Sequence, residues 1–199
     1  MPVVLEDLDL YLPVSLHKPD LTDQEWQQFC AKYSEYRIEY TSEGDLVLMP
    51  GTDPVTGFRN SWITAELLRW SIRDGKGKSC DSSTAFLLPS GARRSPDASW
   101  ITNDQWQKIV SARQTIVTTP RFIIELKSSQ DSRKKLHEKM VEWIENGVEL
   151  AWAIDPERKQ VTIYRPNQMP ESVENADSIC GEGPVAGFLL DLTLIWNQS

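Results

Sequence analysis

The chain has 199 residues, 40% of them apolar and 25% charged. That suffices for one ordinary globular domain with a sizeable core and is too balanced for wholesale disorder. No apolar run approaches the roughly 18 residues of a membrane-spanning helix, and Met1–Asp7 has neither the basic nor the apolar region of a secretory signal. Three widely spaced cysteines (Cys30, Cys80, Cys180) and two histidines (His17, His137) argue against a disulfide framework and a zinc site, so a reducing cytoplasm is the expected compartment. The net charge of −8 disfavours loose nucleic-acid binding. Its distribution is uneven: residues 1–60 carry 4 basic and 11 acidic side chains, residues 61–140 carry 14 and 8, and residues 141–199 carry 3 and 10. A basic middle between acidic flanks fits two readings. It is either a surface for a phosphate-rich partner or a set of charges that the flanks neutralise in the fold.

Three prolines at 2, 13 and 19 predict an irregular N-terminal segment over 1–20, followed by a single domain over 21–199. Thr22 or Asp23 can cap a short helix over about 23–34, where Trp26, Phe29, Cys30 and Tyr33 recur at helical spacing. Alternation in Tyr36–Tyr40 and Leu46–Met49 around Glu43-Gly44-Asp45 predicts a β-hairpin. Pro50–Pro54 reads as a loop. Asn60 or Ser61 then caps a helix over 60–73 that carries Ile63, Leu67, Leu68 and Trp70 and ends by Gly75. Strands are expected at about 79–88 and 98–101, joined through Pro89-Ser90-Gly91, and a helix over 103–112 with Trp106, Ile109 and Val110 on its apolar side.

The apolar run Phe122–Lys127 has the composition of a buried central strand. Asp131 or Ser132 starts an amphipathic helix with the stripe Leu136, Met140, Trp143 and Ile144, ended by Asn146-Gly147. Strands follow at Leu150–Ile154 and Val161–Arg165, and the tail holds a last apolar run, Phe188–Leu192. This order predicts a mixed α/β or α+β domain.

The chemistry concentrates on Pro96-Asp97 and Glu125-Leu126-Lys127. Strand residues two apart share a face, so Glu125 and Lys127 point one way while Ile124 and Leu126 point the other. Charges on so apolar a strand are costly without compensation. A Mg²⁺ or Mn²⁺ ion held by Glu125 and a neighbouring Asp97 is one compensation, since hard cations take carboxylate and water oxygens. Lys127 would then sit beside the attacking water or the developing phosphate charge. A plain surface ion pair, worth about 0–1 kcal/mol, is the other reading.

The pair Pro96-Asp97 and Glu125-x-Lys127 resembles the PD-(D/E)XK nuclease pattern. The wider sequence is similar to one branch of it, the Uma-two family of restriction-endonuclease-like proteins. The similarity runs over about 21–196, through Arg37-Ile38-Glu39, Met49-Pro50, Asp81–Thr84, Arg94–Trp100, Phe122–Ser128, Lys139-Met140, Asn146-Gly147-Val148, Ile154-Asp155-Pro156, Ile163–Pro166 and Gly187–Leu192. The resemblance implies a restriction-endonuclease-like core, a mixed β-sheet flanked by helices, preceded by the N-terminal helix and hairpin. It carries over Asp97 and Glu125 as metal ligands and Lys127 as the catalytic lysine, with Glu39 or Glu66 as a third carboxylate and Glu39 the preferred one.

Around this site Arg133, Lys134, Lys135 and Lys139 either meet phosphates near a helix N-terminus or form a solvated face. Arg93 and Arg94 either clamp a phosphate or are loop charges. Asp81–Thr84 either lines the site with hydroxyls or forms an ordinary strand edge. Trp26, Trp70, Trp143 and Trp152 are expected in the core. Two functions follow. One is a Mg²⁺- or Mn²⁺-dependent DNA endonuclease, expected as a homodimer. The other is a non-catalytic nucleic-acid- or protein-binding module on the same fold, with a purely structural dimer in reserve.

Overall fold

The computed structural model describes residues 13–18, 20–112, 115–128 and 132–197. Its chain divides into two compact units, 1–51 and 52–199.

In the first unit, strand β1 (Val14–His17), helix α1 (Asp23–Lys32) and strands β2 (Arg37–Tyr40) and β3 (Asp45–Met49) build a small layered structure. β3 pairs antiparallel with both β1 and β2. Thr22 and Glu25 close a reciprocal capping box at the start of α1. The helix buries Trp26 and Phe29 against Ile38, Tyr40, Leu46 and Leu48. β1 occupies part of the stretch where prolines predicted no regular element. Its four residues alternate apolar and polar but are too few to outweigh the flanking prolines, and they are held by the ladder to β3.

The second unit opens with α2 (Pro54–Asp74). This helix starts six residues earlier than Asn60 suggested. Asp53 caps it, its Oδ1 accepting from the Val55 and Thr56 amides, and Pro54 stands in the first turn, where a missing N–H costs nothing. Asn60 and Ser61 are therefore interior. Gly75 ends the helix in the left-handed conformation, φ 72°. The expected strand over 79–88 is two strands, β4 (Gly77–Asp81) and β5 (Phe86–Leu87), because Asp81 turns the chain by accepting from the Ser83 amide and hydroxyl. β5 forms a short hairpin with β6 (Arg93–Arg94), and β7 (Ala98–Thr102) pairs with β4. Gly77 is required at that pairing. A Cβ there would lie 2.1 Å from the Ile101 carbonyl oxygen and 2.4 Å from the Trp100 ring.

Thr102 and Gln105 form a second capping box for α3 (Asn103–Ser111). Trp106 and Ile109 face inward as expected, but Val110 is 55% exposed. β8 (Phe122–Leu126), α4 (Arg133–Glu145) and β9 (Leu150–Asp155) form a parallel β-α-β crossover, and β10 (Gln160–Tyr164) and β11 (Glu171–Glu174) extend the sheet. β12 (Ser178–Cys180) pairs with β13 (Leu189–Asp191), and α5 (Thr193–Trp196) closes the described chain. The sheet order is β11-β10-β9-β8-β7-β4, mixed because only β8 and β9 run parallel.

Both faces of this sheet are covered. Ile63, Leu67 and Trp70 of α2 pack on the face of Trp100, Ile124, Leu126 and Ile154. Met140 and Trp143 of α4 pack on the face of Ile101, Ile123, Ala151 and Ala153. All five residues of β8 are consequently buried. Trp26, Trp70, Trp143 and Trp152 are buried, as their spacing indicated. No described helix is long and apolar enough to cross a membrane.

Candidate active site

The site lies on the central strands, on the face covered by α4. β7 and β8 are antiparallel, with Ala98 opposite Ile124. One more step of that register sets Asp97 opposite Glu125. The Oδ2 atom of Asp97 accepts the Leu126 backbone N–H at 2.7 Å. The aspartate thus continues the ladder with its side chain where the backbone of β7 leaves off. Asp97, Glu125 and Lys127 are 5%, 4% and 7% exposed, too buried for the surface pair that the sequence left open.

Glu125 is held from α4. Its Oε1 accepts the Trp143 indole N–H at 3.0 Å and lies 2.9 Å from Lys139 Nζ. Lys139 and Trp143 are one helical turn apart and so present to the same strand. The Lys127 backbone amide donates to the Ile154 carbonyl at 2.8 Å, extending the parallel pairing past the end of β8. Its Nζ donates to the Ser128 carbonyl at 2.9 Å and lies 3.2 Å from Glu157 Oε2. Asp155, at the end of β9, is also buried, and its Oδ2 accepts from Arg133 Nε at 2.9 Å. A row of ionisable groups therefore crosses three adjacent strands at one end of the sheet.

The other residues weighed for the site have surroundings of their own. Glu66 lies on α2, which covers the opposite sheet face, and bonds Arg69 within its own helix at 2.7 Å. Glu39 is buried on β2 of the first unit, with Arg37 Nη2 3.9 Å from its Oε1. Arg94 is engaged by Glu142, Nη2 to Oε2 at 2.6 Å, and Arg93 is buried in β6. The Asp81 carboxylate serves the turn after β4, where the Ser83 hydroxyl holds it below the ordinary aspartate range. Ser132 caps α4 without a side-chain hydrogen bond, and Asp131 lies outside the described residues. Lys134 is exposed beside Glu138 at 3.8 Å, and Lys135 is exposed. His137 shares a 3.0 Å hydrogen bond with the Tyr164 hydroxyl, whose burial pushes the phenol above its usual range.

The uneven charge is resolved in part by pairing. Arg94, Arg121, Lys127 and Arg133 of the basic middle pair with Glu142, Glu149, Glu157 and Asp155 of the acidic C-terminal stretch. The residues that spacing did not single out are Trp143 as a donor, Lys139 as a partner of Glu125, Asp155 and Glu157. One signal was present for Lys139. It stands three residues after Leu136, inside the apolar stripe, where a charge needs a buried partner.

Two carboxylates on adjacent strands are a hard-oxygen donor set. They suit a cation such as Mg²⁺ that keeps several of its waters. Among the described residues no group of three or more His, Cys, Asp or Glu side chains is placed to hold a metal, so a closed structural site of the zinc kind does not fit.

A mixed sheet with helices on both faces and this acid-acid-lysine row define a restriction-endonuclease-like fold. One solved structure agrees on the fold. A crystal structure titled as "a putative nuclease belonging to DUF820" from Anabaena variabilis is similar with a TM-score of 0.68, at 19% identity, over 81% of this chain and 90% of that one. A cryo-electron microscopy structure titled as a DrdV–DNA complex overlaps with a TM-score of 0.36 at 12% identity, over 56% of this chain and 9% of that one. No curated protein matches the sequence. The chain belongs to the Uma2 family, described as "Putative restriction endonuclease", whose model matches residues 23–193.

Proposed function

We propose that the chain is a divalent-metal-dependent endonuclease that hydrolyses phosphodiester bonds of DNA, with Asp97, Glu125 and Lys127 as its PD-(D/E)XK site. The observation that carries this reading is the position of Asp97. Its carboxylate is buried, hydrogen-bonded to the Leu126 amide, and one register step from Glu125. Two neighbouring buried carboxylates are costly to fold around, and function is a common reason for keeping them.

In this reading Asp97 and Glu125 hold a Mg²⁺ or Mn²⁺ ion, which supplies Lewis acidity and a lowered pKa for water at the scissile phosphate. The Leu126 amide orients Asp97, and the Trp143 indole orients Glu125. Lys127 turns its ammonium from Glu157 and the Ser128 carbonyl to the phosphate, where it offsets the negative charge that grows in the transition state. Glu157 is 56% exposed, so this pair is readily exchanged. Glu39 is proposed as the further acidic residue, and the working form is a cytoplasmic homodimer suited to cutting both strands.

The test is cleavage of supercoiled, linear, single-stranded and branched DNA with Mn²⁺, by the parent protein and by Asp97→Asn, Lys127→Met and Glu39→Gln. Loss of cleavage in the first two variants, with folding intact, supports the reading. Parent-like cleavage by either overturns the assignment. The second reading, a non-catalytic binding module, is favoured by the neutralisation of four middle-segment cations within the fold. It predicts nucleic-acid or protein binding that survives a chelator, with no turnover on any of the four substrates.

A further inference from the structure

The pair that Lys139 makes with Glu125 has a consequence for any cation at this site. Lys139 Nζ sits 2.9 Å from Glu125 Oε1, with side-chain exposures of 18% and 6%. Its helix is anchored directly beneath by Met140 and Trp143, both fully buried. The ammonium is therefore largely screened from solvent and held against Glu125, and is not a surface charge that swings away at no cost. Trp143 donates to the same carboxylate oxygen at 3.0 Å, so the Glu125 head group is gripped at one oxygen by a neutral donor and a cation together.

We infer that Lys139 is the resident counter-cation of Glu125 and that a divalent ion engaging this carboxylate competes with it. Two like charges sharing one carboxylate repel strongly in a partly buried setting. With the lysine present, the acidic end of the sheet is electrically satisfied before any metal arrives. Metal binding then requires the ammonium to yield, which weakens binding and makes the protein tolerant of a metal-poor state. A lysine that merely braced the site would act in the opposite sense, since its removal would loosen Glu125 and weaken the metal. Lys139 is thus a positioning residue whose charge, and not only its reach, sets the affinity. The inference rests on the two-carboxylate reading of Asp97 and Glu125.

Calorimetric titration with Mn²⁺ alone, on the full chain, separates these cases, and the Mn²⁺-induced shift of the thermal unfolding midpoint provides a second readout. The variants are Lys139→Met, Lys139→Gln and Lys139→Arg, with Asp97→Asn as the control. Lys139→Gln keeps a donor for Glu125 without the charge and covers the case where Lys139→Met does not fold. We expect Lys139→Gln to bind Mn²⁺ about tenfold more tightly than the parent, equivalent to about 1.4 kcal/mol. Its midpoint in chelator should be lower than the parent's and should rise further with Mn²⁺. Lys139→Arg should behave like the parent. Unchanged or weaker Mn²⁺ binding by Lys139→Gln overturns the inference and leaves the two-carboxylate site standing. A parent protein that binds no Mn²⁺, or whose binding survives Asp97→Asn, overturns the reading of the site itself.

Discussion

Trp143 donates its indole N–H to Glu125 Oε1 at 3.0 Å, and this bond joins the last turn of α4 to the end of the central strand β8. Trp143 is fully buried, so its replacement has two costs. Trp143→Phe removes a hydrogen bond to a charged acceptor, worth about 1.5–3 kcal/mol, and leaves part of the indole volume empty. We expect urea unfolding to show a loss of at least about 2 kcal/mol. A variant as stable as the parent would mean that the bond contributes nothing.

The two substitutions at Asp97 should separate folding from function. Asp97→Ala leaves the buried Leu126 N–H without its acceptor, at about 1–3 kcal/mol. Asp97→Asn keeps a carbonyl oxygen for that amide and removes only the charge. Thermal unfolding should therefore rank the parent and Asp97→Asn together, above Asp97→Ala. Cleavage should fall at least about a hundredfold in both, as when a group that stabilises a transition state is lost.

Arg94 and Glu142 are a partly buried pair, with 12% and 16% side-chain exposure and 2.6 Å between Nη2 and Oε2. The other carboxylate oxygen of Glu142 is buried without a hydrogen-bond partner. Removing one member strands the other, at about 3 kcal/mol. Arg94→Met with Glu142→Leu should be more stable than either single variant in a double-mutant cycle on chemical denaturation. Simple additivity would count against the pairing.

Acid titration should reveal the cap of α1. The Thr22 backbone amide, then its hydroxyl, and then Lys18 hold the exposed Glu25 carboxylate at about 2, below its reference value of 4.5. A depressed folded-state value contributes stability that is complete above about 4.5 and is lost as the pH falls toward 2. Comparing unfolding midpoints of the parent and Glu25→Gln across this window should show the difference shrinking as the pH drops. A pH-independent difference would contradict the capping box as its origin.

The parts of this protein that were legible in its sequence carry local signals. α1, the β2–β3 hairpin, α3, α4 and the strands β8, β9 and β10 each combine a cap or turn with a hydrophobic period, and the structure holds them within a residue or two of expectation. Where a local signal was ambiguous, the reading slipped. Asp53-Pro54 looked like a loop and is a helix start, and Asp81–Thr84 looked like strand and is a turn. β1, β11, β12 and β13 are short, and their ladders to distant strands define them.

The sequence by itself determined which face the candidate residues share, since alternation alone puts Glu125 and Lys127 on one side of an apolar strand. Only the tertiary structure decided their partners. Asp97 meets Leu126 through an antiparallel register 29 residues apart, and Lys139 meets Glu125 because the crossover lays α4 on that sheet face. Spacing along a chain specifies direction within one element. Contact between elements depends on which face each buries, and that is set by the packing of the whole core.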